Sequence, residues 1–195
     1  MTTTESCARS SESAASTRFQ SDEPAKARKS TTRDEVLYIP PLNFAQVSRN
    51  IFRSGYPSRK NFDFLKKKNI RCVIYLGKKS DELFHEQNLK FYSQMGIRYV
   101  HCDCGENVEP FQQMSQAAVH RSIRLALKPE NQPVLLHCLK GKSQSACVVG
   151  CIRKIQKWPL SSIFDEYKRF SGKLYPLDLF FIELFDSAGF SAPEI

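Results

Sequence analysis

Val134-Leu135-Leu136-His137-Cys138-Leu139-Lys140-Gly141-Lys142-Ser143-Gln144-Ser145 is the stretch from which the rest of this chain can be read. An apolar, strand-like run feeds His137 and Cys138. A short loop with one glycine follows, and then a helix begins. Taken alone, His-Cys after an apolar strand reads as a buried thiol beside a satisfied histidine. The whole string, strand then His-Cys-x-x-Gly-Lys-Ser-x-Ser then helix, reads instead as an anion nest. Successive backbone N–H groups of such a loop turn inward, and the following helix adds its unpaired N–H groups and the positive end of its dipole. A cysteine at the bottom of the nest gains nucleophilicity, because the same field favours its thiolate. Gly141 lets the backbone approach an oxyanion closely. Ser145 can donate a hydrogen bond to the sulfur, and His137 reads as a brace for the loop rather than a base. The residues expected to touch phosphate are Leu139, Lys140, Gly141, Lys142, Ser143 and Gln144, with Cys138 and Ser145 in the chemistry.

Outward from this stretch, strands and helices alternate. Ile51-Phe52-Arg53 reads as a short strand, punctuated by Gly55 and Pro57. Asn61 to Lys68 reads as a helix, and Ile70 to Leu76 as a buried strand bounded by Gly77. Glu82 to Met95 is expected to be helical with Gly96 as its C-cap, Ile97 to Cys102 a strand, and Pro110 to Leu127 a long helix. After the loop, Ser145 to Trp158 is a helix. Leu160, Ile163, Phe164, Tyr167 and Phe170 fall on one face of another, and Pro176 can open the last. The pattern predicts an α/β domain with a mainly parallel central sheet flanked by helices. Ser and Thr dominate residues 1–35, with Phe19 the only aromatic, so a disordered tail is expected there. The expected domain runs over 36–190, with 191–195 a C-terminal end.

At 195 residues the chain has length for one domain with a real core. It shows no apolar run long enough to span a bilayer and no opening signal peptide, so membrane insertion is not expected. Seven cysteines, odd in number and without metal-like pairing, read as reduced thiols and a cytoplasmic setting. Residues 1–35 carry six basic and six acidic side chains, so the whole net charge of +9 belongs to residues 36–195. That balance fits an anionic partner or a solvated surface; Arg59-Lys60 with Lys66-Lys67-Lys68 fits the surface. No aromatic-basic interleaving appears, and nucleic acid is not expected.

Several segments carry a specific resemblance. Pro133 to Cys138, Cys147 to Trp158, Ser162 to Phe170 and Phe181-Ile182-Glu183 resemble the plant-and-fungal atypical dual-specificity phosphatases. So do Pro40-Pro41-Leu42-Asn43-Phe44, Ile51 to Pro57 and Asn107-Val108-Glu109-Pro110-Phe111. The likeness spans about residues 38–187. It includes the fungal oxidant-induced cell-cycle arrest proteins, one branch of which cleaves inositol pyrophosphates. The resemblance implies the cysteine-phosphatase α/β fold, Cys138 as nucleophile, and neither a metal nor an organic cofactor.

It also marks departures. Active members carry arginine where this chain has Gln144, and that guanidinium grips two phosphate oxygens. Glutamine offers N–H donors but no charge and no fork, and losing such a charged clamp costs roughly 10³–10⁵ in rate. Ala146 replaces a glycine, and Tyr175 stands where a Lys-x-Arg pair beginning at Lys173 would place its arginine. Lys140 and Lys142 keep the loop basic or point to solvent, and Arg53 either faces the site or braces the loop. A general acid is expected upstream, among Asp103, Glu106 and Glu109; Asp103, at a strand end, is the candidate. The leading expectation is an impaired or inactive phosphatase-like protein, a pseudophosphatase that binds a phosphorylated small molecule or phosphoprotein. The alternative is an active phosphatase on inositol pyrophosphates or phosphotyrosine. A third role is assembly with related phosphatase-like proteins.

Overall fold

Five short strands form one sheet: β1 (Ala45–Ser48), β2 (Ile51–Ser54), β3 (Cys72–Tyr75), β4 (Arg98–His101) and β5 (Val134–His137), in the order β1-β2-β5-β3-β4. The computed structural model describes residues 37–78, 80, 86–110 and 112–191. The expected tail, the chain end beyond 191, the start of the helix expected from Glu82, and Phe111 lie outside the described residues. Only β1 runs antiparallel to its neighbour; β2, β5, β3 and β4 are mutually parallel. Edge strand β1 had no sequence signal, because Val47 is its one strongly apolar residue. It exists through pairing with β2, across a turn in which Asn50 takes φ 64°.

Alternation along the strands sorts the core into two layers. Ile51, Cys72, Ile74, Val134 and Leu136 face one side and pack with α3 (Gln116–Leu127), α4 (Ser143–Ile155), α5 (Leu160–Ser171) and α6 (Pro176–Leu184). Phe52, Val73 and Leu135 face the other and pack with Leu65 of α1 (Phe62–Lys67) and with Phe91 and Tyr92 of α2 (Glu86–Gln94). Helix α4 is buried along nearly its whole length between the sheet, α5 and α6, which is why Ala146 to Ile152 shows no polar face. Central strand β5 therefore delivers Cys138 to the C-terminal edge of a parallel sheet, with α4 starting just beyond. That edge is where α/β folds bind ligands.

Several helix boundaries differ from expectation. Helix α3 begins at Gln116, not Pro110, because Ser115 caps it by accepting from Ala118 N at 3.2 Å. The residues before it form a turn closed by reciprocal 2.9 Å bonds between Val108 and Gln112. Helix α4 starts at Ser143, two residues before Ser145, and ends at Ile155, short of Trp158, where Lys157 takes φ 63°. The described part of α2 ends at Gln94, with Gly96 at φ 65° beyond it. The six described cysteines are free thiols, all buried. No helix among the described residues is long and apolar enough to cross a membrane.

Candidate active site

The loop after β5 is held by its carbonyls. Leu139 O accepts from Tyr56 N at 3.0 Å, and Lys140 O from Asn43 Nδ2 at 3.0 Å. Gly141 O accepts from Arg53 Nη2 at 2.8 Å, and Lys142 O from Ala146 N at 2.7 Å. In a trans peptide the C=O and the next N–H point opposite ways. Tying four consecutive carbonyls to the protein therefore turns the N–H groups of residues 140–143 away from those braces. Among the described residues, the N–H groups of 139–145 donate to no backbone carbonyl. They are the unpaired donors that a nest and a helix start present to an anion. Gly141 is required twice over. It has φ 66°, and a Cβ there would sit 2.8 Å from Ser54 C and 2.9 Å from Gly55 Cα.

Cys138 is 2% exposed, at the base of this loop. Its thiol donates to Ser145 Oγ at 3.5 Å. Ser145 Oγ also accepts from Arg53 Nη2 at 3.1 Å and can donate to Lys142 O at 3.4 Å. Arg53 is 1% exposed, with its guanidinium carbon 3.9 Å from the centre of the Phe170 ring. Burial pulls it down to about 10 from its ordinary 12.5, partly offset by the negative charge of Cys138 and Glu166. His137 is fully buried between the rings of Tyr75 and Tyr56, at 5.1 and 6.1 Å, a bracing position. Burial pushes Cys72 up to about 11 and Cys104 up to about 12, and it raises Cys147 as well. Those three thiols stay protonated and inert at neutral pH.

Gln144 sits in the first turn of α4 and donates Nε2–H to Gly105 O at 3.2 Å. One amide proton thus ties the loop to the segment after β4. That segment is itself anchored: Asn107 accepts from Met114 N at 2.8 Å and donates to Asp178 at 2.7 Å. Asp178 also accepts from the Tyr167 hydroxyl at 2.5 Å. Burial raises the Asp178 carboxyl above its ordinary value, although the bonds from Tyr167 and Asn107 pull the other way.

The acid candidates are occupied locally. Asp103 is exposed and accepts from Gly105 N at 3.1 Å, in a short turn of its own. It lines a cavity with His101, Cys102 and Arg121, in which no loop residue takes part. Glu106 pairs with Lys78 at 3.1 Å. Glu109 is exposed, as are Lys140 and Lys142. Lys173 places its ammonium 4.6 Å from the centre of the Tyr175 ring. The structure thus brings Cys138, Ser145 and the 139–144 backbone together, while Asp103 turns back on its own segment. It adds Asn43, Gly55 and Tyr56 as braces. Their bracing role left no sequence signal: Gly55 reads there only as turn punctuation, and Asn43 and Tyr56 act through one side-chain amide and one backbone N–H.

A parallel sheet whose central strand ends in a cysteine under a ring of unpaired N–H groups defines a cysteine-phosphatase fold. The chain belongs to the tyrosine phosphatase family, which matches residues 38–194, and within it to the atypical dual-specificity group. Inositol diphosphatase DSP4 of Arabidopsis thaliana is 43% identical over 151 residues, covering 77% of this chain and 75% of that protein. Inositol diphosphatase SIW14 of Saccharomyces cerevisiae is 39% identical over 150 residues, covering 76% of this chain and 52% of that one. The solved structure of the Siw14 catalytic core superposes with a TM-score of 0.72 at 36% identity, over 78% of this chain and 89% of that one.

Proposed function

We propose that this chain is a slow cysteine-dependent phosphatase on inositol pyrophosphates, acting through its 36–190 domain. The observation that carries the reading is the loop itself: four carbonyls fixed outward, Cys138 at the base, and Ser145 Oγ 3.5 Å from the sulfur. The relatives named inositol diphosphatases supply the substrate class. In the reaction, the Cys138 thiolate attacks the terminal phosphorus and the anhydride P–O bond breaks, its electron pair leaving with the inner phosphate. Water then attacks the phospho-cysteine. The P–S bond breaks, inorganic phosphate and a proton are released, and the thiolate returns. Ser145 stabilises the departing sulfur. The inner phosphate is a stable anion that leaves with little help from an acid, whereas a phenol or alkoxide needs a proton. An anhydride therefore suits a site whose nearby carboxylates, Asp103 and Glu106, are engaged locally. Lys140 and Lys142 supply long-range attraction for a polyanion, and buried free thiols fit a reducing compartment such as the cytoplasm.

A second reading, ligand binding without hydrolysis, is favoured by one contact: Gln144, neutral and bonded to Gly105 O. Phosphate release from a diphosphoinositol polyphosphate and from an aryl phosphate, by wild type and Cys138→Ser, separates the two. We expect slow release that depends on Cys138 and is faster on the anhydride. Release no greater than that of Cys138→Ser, with the polyanion still raising the melting temperature, would leave the binding reading in its place.

A further inference from the structure

Buried arginines usually face carboxylates, because an uncompensated charge in the core is expensive. Arg53 does not. Among the described residues no carboxylate lies within ion-pair distance of it. Glu166, whose field it feels, is held by both Nε and Nη2 of Arg153, at 2.7 and 2.8 Å. Arg53 Nε and Nη1 are buried without an acceptor among the described residues, and its face packs on Phe170. Its side-chain hydrogen bonds go to Gly141 O of the loop and to Ser145 Oγ at the start of α4. Alternation along β2 puts Arg53 on the same side of the sheet as Ile51, the side that α4 and α5 cover. The charge is therefore built in from below, against the loop that carries Cys138.

We infer that Arg53 is a positioning residue for Cys138, supplying from beneath the loop the positive charge that Gln144 does not supply from within it, and favouring the thiolate through Ser145. By donating to Ser145 Oγ, Arg53 occupies one oxygen lone pair, so the single hydroxyl proton goes to Lys142 O at 3.4 Å or, once Cys138 is ionised, to the sulfur at 3.5 Å. The bond to Gly141 O fixes the peptide whose N–H belongs to Lys142. The charge itself, short of acidic partners, is compensated best when Cys138 is ionised. This deepens the reading of Cys138 as nucleophile and rests on it.

The test uses alkylation instead of turnover. Iodoacetamide modification of full-length protein is followed at the Cys138 peptide by mass spectrometry across pH 5–10, in wild type, Arg53→Met, Arg53→Lys and Ser145→Ala. We expect the pH midpoint to rise by about one unit or more in Arg53→Met, as when an opposite charge is withdrawn from a thiolate. Arg53→Lys should keep most of the wild-type behaviour. Ser145→Ala should raise the midpoint and shrink the further effect of Arg53→Met added to it. A merely structural arginine would alter melting without moving the midpoint. A wild-type midpoint in folded Arg53→Met, or Arg53→Lys behaving like Arg53→Met, overturns the inference. If Arg53→Met does not fold, Ser145→Ala decides, and an unmoved midpoint there overturns it as well. Failure of wild type to hydrolyse any phosphate would count against the proposed function and leave this readout intact.

Discussion

The proposed anion site has two walls, built by different rules. The inner wall is Arg53, Gly55, Gly141 and Ser145, all buried and in mutual contact. Each residue there also holds β2, β5 and α4 together, so the wall is part of the fold. The outer wall is Gln144, the exposed Lys140, Lys142 and Lys173, Tyr175, and the segment carrying Asp103 and Glu106. Apart from Gln144, which is buried and donates to Gly105 O, its side chains are exposed or pair with a near neighbour. Substitution on the outer wall changes what a phosphate meets while leaving the loop in shape. Substitution on the inner wall acts on the loop itself. A neutral side chain at Gln144 is therefore compatible with an intact loop around Cys138, because the loop's shape is set by the buried wall.

The largest expected effect breaks the inner wall. Gly141→Ala forces a side chain into a φ 66° position and against the backbone of Ser54 and Gly55. Strain of that kind costs about 1–3 kcal/mol, and the backbone clash adds to it. We expect a clear fall in the denaturation midpoint and, since oxyanion donors are displaced, a loss of roughly 10³-fold in any Cys138-dependent phosphate release. Equal damage from Ala at Lys140, an exposed outer position, would show that the two walls are not distinct.

The next effect sharpens the outer wall. Gln144→Arg should raise phosphatase activity by at least ~10²-fold, because the nest, the thiol and Ser145 are in place and the missing part is a charged fork. Stability should fall slightly as the 3.2 Å bond to Gly105 O is given up. The gain should vanish in the double variant with Cys138→Ser. A wild type as fast as Gln144→Arg would mean that the amide suffices, with Arg53 already providing the charge. A folded, anion-binding Gln144→Arg without activity would place the deficit at Tyr175 or at the general acid.

How much of this was legible in the sequence follows the same division. Strand β5, the loop and α4 were readable because an apolar run, Gly141 and a long buried helix each leave a local mark. The parallel sheet followed from alternation of strands and helices. Edge strand β1 was not readable, since Ala45-Gln46-Val47-Ser48 becomes a strand only by pairing with β2. Helix α3 was started too early, because an expected helix over 110–115 overlooked Ser115 as a cap and Asn107 as a staple for the turn before it. Within the site, the placing of Cys138 at the base of the loop, with Ser145 beside it, was legible from spacing. The braces Asn43 and Tyr56 were not, as one acts through a side-chain amide across 97 residues and the other through a backbone N–H. Arg53 was visible as a candidate with two roles, and the structure gives it hydrogen bonds to Gly141 O and Ser145 Oγ.

The smallest effect probes the anchor of the outer wall. Asp178 joins Asn107 to Tyr167, and burial raises its carboxyl above the ordinary 3.8. A raised carboxyl means that the folded state holds its proton at pH values where the unfolded chain has released it. The resulting stability is fully present below the unfolded value and is lost as pH rises through the raised folded one, so at neutral pH Asp178 is a cost. Asn in its place can accept from Asn107 and donate to the Tyr167 oxygen, keeping the anchor without a charge. Asp178→Asn should therefore melt at neutral pH within ~1 kcal/mol of wild type, the worth of one rearranged hydrogen bond. The difference should shift in favour of wild type as pH falls from 7 toward 4. Melting curves over that range provide the measurement. A wild type that gains stability over Asp178→Asn as pH rises would mean that the hydrogen bonds from Tyr167 and Asn107 outweigh burial, and that the outer wall is anchored by a charge after all.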